Sequence, residues 1–195
     1  MVSAVHRLNN LFWERRLGIS TRGLVPIDHP DSVHYATMPF STIRSIFQYI
    51  DLQPPDVFVD VGCGKGRVLC YAARHEVKRV VGVDLSAELC GEARANAARL
   101  RGRKAPIVVE LRPAHEFDYS AASALFMFDP FGAATMAKVL DKIGRDTAGR
   151  SVRIAYANPT QDAVFRQQQW LERREFWPKE ATGLEHSVVF YRSLS

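Results

Sequence analysis

The chain has 195 residues, of which 47% are hydrophobic and 24% are charged, and this composition excludes disordered and fibrous proteins in favour of one globular fold. Lysine and arginine exceed aspartate and glutamate by 5, a balance that permits anionic partners but is also ordinary for an enzyme. No run reaches the roughly 18 apolar residues that cross a bilayer, and the first thirty residues lack the apolar stretch of a signal peptide, so we expect a cytoplasmic protein without a membrane partner.

Two regions are predicted from the patterning along the chain. Residues 1–40 are expected to be an N-terminal helical extension, and residues 41–195 the main domain. In the extension, apolar residues at helical spacing predict a face that packs on the domain: Val5, Leu8, Leu11 and Phe12. Glycine and proline residues between positions 18 and 38 predict an irregular loop after that helix.

The main domain is predicted to alternate strands with helices. A helix that begins behind a Ser41 cap precedes five short apolar runs that predict strands: 57–61, 79–84, 107–111, 124–129 and 152–157. Two further strands, 170–177 and 187–192, are joined by a loop alone, so we expect them to be antiparallel neighbours. The pattern predicts an α/β three-layer sandwich whose mainly parallel seven-stranded sheet ends in an antiparallel hairpin.

A glycine-rich turn, DVGCGKGR at 60–67, follows the first predicted strand. Its glycines permit positive φ and let backbone N–H groups approach a ligand. A phosphate loop of the GxxxxGK[ST] kind is excluded because no Ser or Thr follows Lys65 at the required spacing. A dinucleotide loop is disfavoured, because Arg67 is expected to obstruct the close helix packing that a third glycine supplies. Asp60 at the start of the turn suits a cationic ligand better than a pyrophosphate.

A second carboxylate, Asp84, ends the next predicted strand in GVDLS at 82–86. Its two oxygens can accept both hydroxyls of a ribose. An aspartate at this position can instead cap a helix, but Ser86 is available for that role. The two strand ends together therefore predict a nucleoside site.

The segments VFVDVGCGKGR at 57–67 and GVDLS at 82–86 resemble the first and second motifs of the class I (seven-strand, Rossmann-like) S-adenosylmethionine-dependent methyltransferases. This resemblance implies an enzyme that binds S-adenosyl-L-methionine. It assigns the methionine end of this cofactor to residues of the glycine-rich turn: Asp60, Gly62, Cys63, Gly64 and Gly66. It assigns the ribose to Asp84 and the adenine to Leu85, with backbone contacts from Pro113 and Ala114 after the third strand.

The loop ahead of residue 41 also resembles family members. Small bacterial members and the seven-strand protein-lysine methyltransferases have an upstream loop containing Tyr and Pro that folds over the cofactor. The resemblance makes Tyr35 and Thr37 candidate cofactor-binding residues, with Pro39 in the same loop. The alternative is an apolar lead into a helix.

The fourth strand runs into Asp129-Pro130-Phe131, which is similar to the Asp/Asn-Pro-Pro-aromatic motif of amino-group methyltransferases except that Phe131 replaces the second proline. The similarity makes these three residues candidate catalytic residues, and Asp129 also a cofactor neighbour. The carboxylate and a backbone carbonyl can accept hydrogen bonds from an amine, and an aromatic ring can hold a flat or cationic substrate. Alternatively, Asp129 caps the next helix. Asn158 and Pro159 could lie across the same pocket or begin a further helix.

These observations predict in-line methyl transfer to an amine nitrogen, with a protein lysine or a small amine as the favoured acceptor. The alternatives are a small-molecule or RNA methyltransferase and a noncatalytic module that binds S-adenosylmethionine or RNA. The six histidines are scattered, so no metal site is expected. A basic cluster at Arg99, Arg101, Arg103 and Lys104 falls where a helix should end, and cations there complement the negative partial charge of a helix C-terminus.

Overall fold

A computed structural model describes residues 4–23, 37–179 and 184–194 of the chain. Its strands are β1 (Val57–Val61), β2 (Arg79–Asp84), β3 (Ile107–Leu111), β4 (Ala124–Phe128), β5 (Arg153–Ala157), β6 (Leu171–Trp177) and β7 (Val188–Ser193). Its α-helices are α1 (Ala4–Leu17), α2 (Phe40–Ile50), α3 (Arg67–Ala72), α4 (Ala87–Arg99), α5 (Ala133–Asp146) and α6 (Asp162–Arg166). A 3-10 turn covers Ala114–Glu116. Among the described helices, none combines the length and apolarity needed to cross a bilayer.

The strands form one sheet in the order β3-β2-β1-β4-β5-β7-β6. Strands β1 to β5 pair in parallel, whereas β7 is antiparallel to both β5 and β6. This confirms the predicted α/β sheet with its terminal hairpin. The winding reverses between β1 and β4, so the carboxyl ends of these two strands flank the crevice in which ligands bind in such sheets.

Both faces of the central strands are covered. Every residue of β1 is buried, and β4 is buried up to its last residue, as expected for parallel strands between two helical layers. Phe58 and Phe126 point into the hydrophobic cluster that also contains residues of α2, α3 and α4, whereas Val59 and Leu125 join the cluster on the side of α5. The alternation along each strand therefore builds the two cores of a three-layer sandwich.

The predicted start of α2 is two residues too late, and its predicted cap is wrong. The helix begins at Phe40 with Pro39 as its N-cap residue and no side-chain capping bond, so Ser41 lies inside the helix. A left-handed Asp51, with φ of 51°, ends it. In α4, by contrast, Ser86 is the N-cap, and its hydroxyl accepts the N–H of Leu89 at 3.2 Å.

Helix α1 forms as predicted, but two of its four predicted packing residues do not pack; Leu11 is half-buried, and the side chain of Val5 lies outside the described residues. Leu8 and Phe12 are 68% and 56% exposed. Contact with the domain is made instead by Leu17, which is buried, and by Trp13, whose ring stacks on Phe40 with centroids 5.9 Å apart. Glu14 is also buried, because its carboxylate is needed as the partner of a buried arginine described below.

Candidate active site

The loops that follow β1 and β4 pack directly against each other at the carboxyl edge of the sheet. Gly62 has a φ of +76°, and a Cβ atom at this position would lie only 2.7 Å from the Cβ of Pro130. Only glycine fits both the backbone conformation and this approach. The fold thereby brings the glycine-rich turn and the predicted acceptor motif together at the point where the winding reverses.

The glycine-rich turn is held by the end of β2. The N–H groups of Gly62 and Cys63 both donate to the carbonyl of Val83, at 2.8 and 3.1 Å. The N–H of Gly64 donates to Oδ2 of Asp84 at 2.8 Å, and Oδ1 of Asp84 accepts the N–H of Ser86 at 3.0 Å. Each carboxylate oxygen keeps a further lone pair for a ligand. Asp84 thus also shapes the turn, a role that its position in the sequence did not indicate.

Asp60 is a buried carboxyl group, 3% exposed, at the start of this turn. Its burial, and secondly the charge of Asp84, raise the pKa of Asp60 to about 8, although a hydrogen bond from the backbone of Leu69 acts in the opposite direction. A cation bound nearby would favour the ionised form. The chemistry of these residues therefore fits a ligand that carries a positive charge beside the turn and a ribose at Asp84.

The turn ends in close packing between α3 and α4. A Cβ atom on Gly66, whose φ is +77°, would lie 3.2 Å from the Cβ of Ala93. The next side chain, Arg67, turns away from this contact toward the N-terminal segment. The expectation that Arg67 would obstruct helix packing is therefore wrong, and Gly66 supplies the close approach.

Arg67 is 4% exposed and ties the N-terminal segment to the turn. Its Nη2 donates to the carboxylate of Glu14 at 3.0 Å, its Nε to the hydroxyl of Thr21 at 2.7 Å, and its Nη1 to the carbonyl of Met38 at 2.8 Å. Thr37 is half-buried and directly precedes Met38, whose carbonyl is bonded to Arg67 at the start of α3. Tyr35, the other candidate in this loop, lies outside the described residues.

The predicted adenine neighbours lie at the adjoining strand end. The N–H of Arg112 donates to the carbonyl of Asp84 at 2.9 Å, which brings the turn after β3 beside β2. Pro113 and Ala114 are half-buried in that turn, and the carbonyl of Ala114 accepts the hydroxyl of Tyr119 at 2.9 Å. Leu85 is 44% exposed, so its apolar side chain is available to a flat ligand.

Asp129 lies in a network between the ends of β4 and β5. Its Oδ2 accepts the side-chain amide of Asn158 at 2.8 Å, and its Oδ1 accepts the hydroxyl of Thr160. The N-cap residue of α5 is Gly132, so the alternative in which Asp129 caps that helix is wrong. Asn158 therefore lies beside Asp129 and does not begin α6, whose N-cap residue is Gln161, and its place across an acceptor pocket stays a prediction.

Strain accompanies this network. Asp129 and Asn158 have φ values of 40° and 48°, and non-glycine residues rarely adopt this left-handed conformation. Such strain costs on the order of 1–3 kcal/mol per residue and concentrates at functional sites. Aspartate and asparagine adopt this conformation more readily than other non-glycine residues, which fits the residue types at these two strand ends.

The other two residues of the motif differ in accessibility. Pro130 is half-buried against Gly62, whereas Phe131 is 8% exposed and packs in the hydrophobic cluster beneath α5. An aromatic surface near Asp129 is formed instead by Phe128, whose ring meets that of His186 edge to face at 4.9 Å. The predicted substrate-holding role of Phe131 remains a prediction.

His186 and Thr160 are candidate functional residues that the sequence analysis missed. Burial, the largest cause, lowers the pKa of the His186 imidazole, although the charges of Glu185 and Asp129 act in the opposite direction. A neutral imidazole at this edge can accept a proton. The signal for Thr160 was its place two residues after Asn158, whereas nothing near His186 in the sequence indicated its neighbours.

Comparisons with known proteins agree with this geometry. Residues 58–147 match the methyltransferase domain family. A protein-lysine N-methyltransferase of Saccharolobus islandicus is 31% identical over 99 residues, which are 49% of this chain and 60% of that protein. Protein arginine N-methyltransferase 1 of Saccharomyces cerevisiae is 36% identical over 58 residues, which are 30% of this chain and 17% of that protein. The chain thus spans less than two thirds of these curated relatives.

A similar fold occurs in an RNA methyltransferase of Salinibacter ruber that was crystallised with S-adenosyl-L-homocysteine. The TM-score is 0.64 at 18% identity, and the superposition covers 81% of this chain and 94% of that one. The residues matched by the family model, 58–147, include the glycine-rich turn, Asp84 and Asp129. Over residues 58–147, just under half of its length, the chain matches the methyltransferase domain family, and its fold is similar to that of solved S-adenosylmethionine-dependent methyltransferases.

Proposed function

We propose that this chain transfers the methyl group of S-adenosyl-L-methionine to an amine nitrogen, and that a protein lysine is the first acceptor to test. The observation that carries the proposal is the packing of Pro130 on Gly62. It joins the turn assigned to the methionine end of the cofactor to the edge where Asp129 can meet an acceptor. Donor and acceptor sites are then neighbours, as in-line transfer requires.

The cofactor would be held by residues from three strand ends. The backbone of the turn at Gly62, Cys63, Gly64 and Gly66 and the carboxyl group of Asp60 would surround the methionine end. Asp84 would accept the ribose hydroxyls, and Leu85, Pro113 and Ala114 would border the adenine. Thr37 would be a further contact, and Tyr35, outside the described residues, stays a candidate by the family resemblance alone. When bound, S-adenosylmethionine supplies an electrophilic methyl group attached to a sulfonium sulfur.

The acceptor amine would bind at Asp129. The side-chain amide of Asn158 and the hydroxyl of Thr160 hold the Asp129 carboxylate in place. The carboxylate would then accept a hydrogen bond from the amine. Transfer forms the N–C bond as the C–S bond breaks, and the amine proton passes to Asp129 or, through water, to the neutral His186 imidazole. Alignment of nitrogen, methyl carbon and sulfur contributes on the order of 7–11 kcal/mol in the best intramolecular cases.

The lysine acceptor is supported by the archaeal relative, whose name assigns it that substrate. The similarity of Asp129-Pro130-Phe131 to the amino-methyltransferase motif supports an amine more generally. The yeast relative acts on protein arginine and the Salinibacter protein on RNA, so the acceptor assay should include all three classes.

The first experiment is calorimetric titration of the full chain with S-adenosylhomocysteine, NAD and ATP in parallel. Binding of S-adenosylhomocysteine alone is the expected result. Binding of NAD or ATP without it would contradict the cofactor assignment. Tritiated methyl transfer to poly-L-lysine, to arginine-rich peptides and to RNA then tests the acceptor.

Asp129→Asn is the decisive variant, because asparagine tolerates positive φ and has nearly the same size. We expect transfer to fall by about 100-fold or more, within the range of general base catalysis, while S-adenosylhomocysteine still binds. Asp118→Asn, at an exposed carboxylate in a loop, is the matched control and should retain full activity. Cofactor binding without transfer to any acceptor would favour the noncatalytic alternative.

A further inference from the structure

Three segments that are distant in the sequence meet at the C-terminal ends of α1, α3 and α4. The N–H of Arg101 donates to the carbonyl of Leu17 at 2.9 Å, and its side chain reaches the carbonyl of Arg15. The N–H of Lys104 donates to the carbonyl of Ala73 at 2.8 Å. The surface at this junction, called here the basic patch, carries Arg15, Arg16, Arg74, Arg99, Arg101, Arg103 and Lys104.

The basic patch concentrates the positive charge of the chain. In the described part of the chain, its one acidic ion-pair partner is Glu76, which lies 3.0 Å from Lys104. Seven cations and this carboxylate give a formal charge of +6, which exceeds the net +5 of the whole sequence. The remainder of the protein is therefore close to neutral, and six of the seven cations are exposed.

Helix termini do not account for this charge. Each helix C-terminus carries about half a negative elementary charge, so three of them offset roughly 1.5 of the 6 positive charges. Two side-chain contacts are local: that of Arg101 with the carbonyl of Arg15, and that of Arg99 with the side chain of Asn96. The sequence-based explanation of the cluster as a helix-end complement is insufficient once α1 and α3 add three further arginines.

The composition and position of the patch favour a polymeric phosphate ligand. Six of its seven cations are arginines, whose planar guanidinium groups match phosphate oxygens better than ammonium groups do. Arg16 and Arg74 lie 5.9 and 5.7 Å from the Trp13 ring, which restrains both side chains. Arg99 is separated from the Asp84 end of the sheet by the 13 residues of α4, or about 20 Å, so a small anion bound here would not reach the candidate active site.

We propose that the basic patch is a docking surface for the phosphate backbone of a nucleic acid. This inference goes beyond the proposed function and does not depend on which amine is methylated. Backbone contacts of this kind give affinity with little sequence preference and a strong dependence on salt concentration.

The test is fluorescence anisotropy of the full chain with a labelled 20-nucleotide single-stranded RNA and a DNA of the same sequence, over a series of salt concentrations. The patch variant is Arg16→Gln/Arg99→Gln/Arg103→Gln, which changes exposed side chains on two of the three segments. The control is Lys138→Gln/Arg145→Gln/Arg150→Gln, which removes the same charge from exposed positions on and after α5.

We expect the parent and the control to bind both probes, and the patch variant to bind about 10- to 100-fold more weakly, with its salt slope reduced by about 2, the loss of three phosphate contacts. No binding by the parent at about 50 mM salt, or equal losses in both triple variants, would overturn the proposal. If poly-L-glutamate displaces the labelled probe more strongly than unlabelled RNA does, the proposal is also overturned, because that result indicates an acidic protein partner.

Retention of S-adenosylhomocysteine binding by both triple variants shows that they are folded and separates this result from any failure of the cofactor assignment. If the triple patch variant does not fold, Arg99→Gln/Arg103→Gln, which leaves α1 unchanged, replaces it. The double variant should lower the RNA salt slope by about 1.4, and an unchanged slope would contradict the proposal.

Discussion

Gly62 and Pro130 meet so closely that no side chain can be placed between them: a Cβ atom on Gly62 would lie 2.7 Å from that of Pro130. The contact joins the ends of β1 and β4, which are neighbours in the sheet although their loops are far apart in the sequence. Any displacement of one loop is therefore transmitted to the other. The cofactor and acceptor edges should respond together to changes at this contact.

Gly62→Ala should destabilise the protein and weaken S-adenosylhomocysteine binding. Alanine is strained at a φ of +76° and collides with Pro130, so we expect a loss of about 1–3 kcal/mol in the free energy of unfolding. Urea denaturation and calorimetry measure the two effects. Gly91→Ala is the control, since nothing lies within 4 Å of its Cβ position in α4, and it should be neutral or stabilising. Equal behaviour of the two variants would refute the steric argument.

Asp84→Ala should weaken S-adenosylhomocysteine binding by about 1–3 kcal/mol, because hydrogen bonds to a charged group are lost. It should also loosen the turn, since the N–H of Gly64 loses its acceptor. Hydrogen exchange at Gly64 would report this second effect directly. Unchanged affinity in a folded variant would remove Asp84 from the site.

Asp60 should make stability depend on pH. The pKa of Asp60 is about 8 in the folded chain, against about 4 for an ordinary aspartate. The folded state therefore holds a proton that the unfolded state releases, so this contribution to stability is complete below about pH 4 and is lost as pH rises to about 8. Asp60→Asn should flatten the decline in the free energy of unfolding between about pH 5 and 8. Urea denaturation at several pH values provides the measurement, and parallel curves for parent and variant would argue against the assignment.

Glu14→Gln should destabilise the protein strongly. The substitution leaves the buried guanidinium of Arg67 without its carboxylate, and breaking a buried pair in this way costs about 3–5 kcal/mol. Glu172→Gln is the control: it breaks an ion pair with Arg174 in which both side chains are about half exposed, and it should cost at most about 1 kcal/mol. Similar losses in both, measured by urea denaturation, would show that the buried network contributes little.

Asn158→Gly should separate stability from activity. Glycine adopts the φ of 48° without strain, so the free energy of unfolding should change little, but the hydrogen bond to Asp129 is lost. Methyl transfer should fall by about 10-fold or more while S-adenosylhomocysteine binds as before, since a positioned proton acceptor contributes at least that much. Asn158→Ala, which keeps the strain, should lose both stability and activity. Full transfer by the glycine variant would exclude a positioning role.

The glycine-rich turn, the strand-end Asp84 and the alternation of strands and helices could all be predicted from the sequence. These features depend on backbone conformation and apolar periodicity within a few residues, so a short window of sequence contains the information. The Ser86 cap of α4 is another feature that a short window of sequence determines. The segments at 57–67 and 82–86, which resemble methyltransferase motifs, are also short and local.

Only the tertiary structure decided which distant residues meet. The bonds of Asn158 and Thr160 to Asp129 follow from the pairing of β4 with β5, which no local pattern specifies. Glu14 is buried beside the buried guanidinium of Arg67, while Phe12 of the same helix is exposed. The basic patch likewise arises because three helix ends converge. Polar contacts across a fold are chosen by geometry and by the high cost of an uncompensated buried charge, whereas the sequence alone determines the local elements and the motifs they carry.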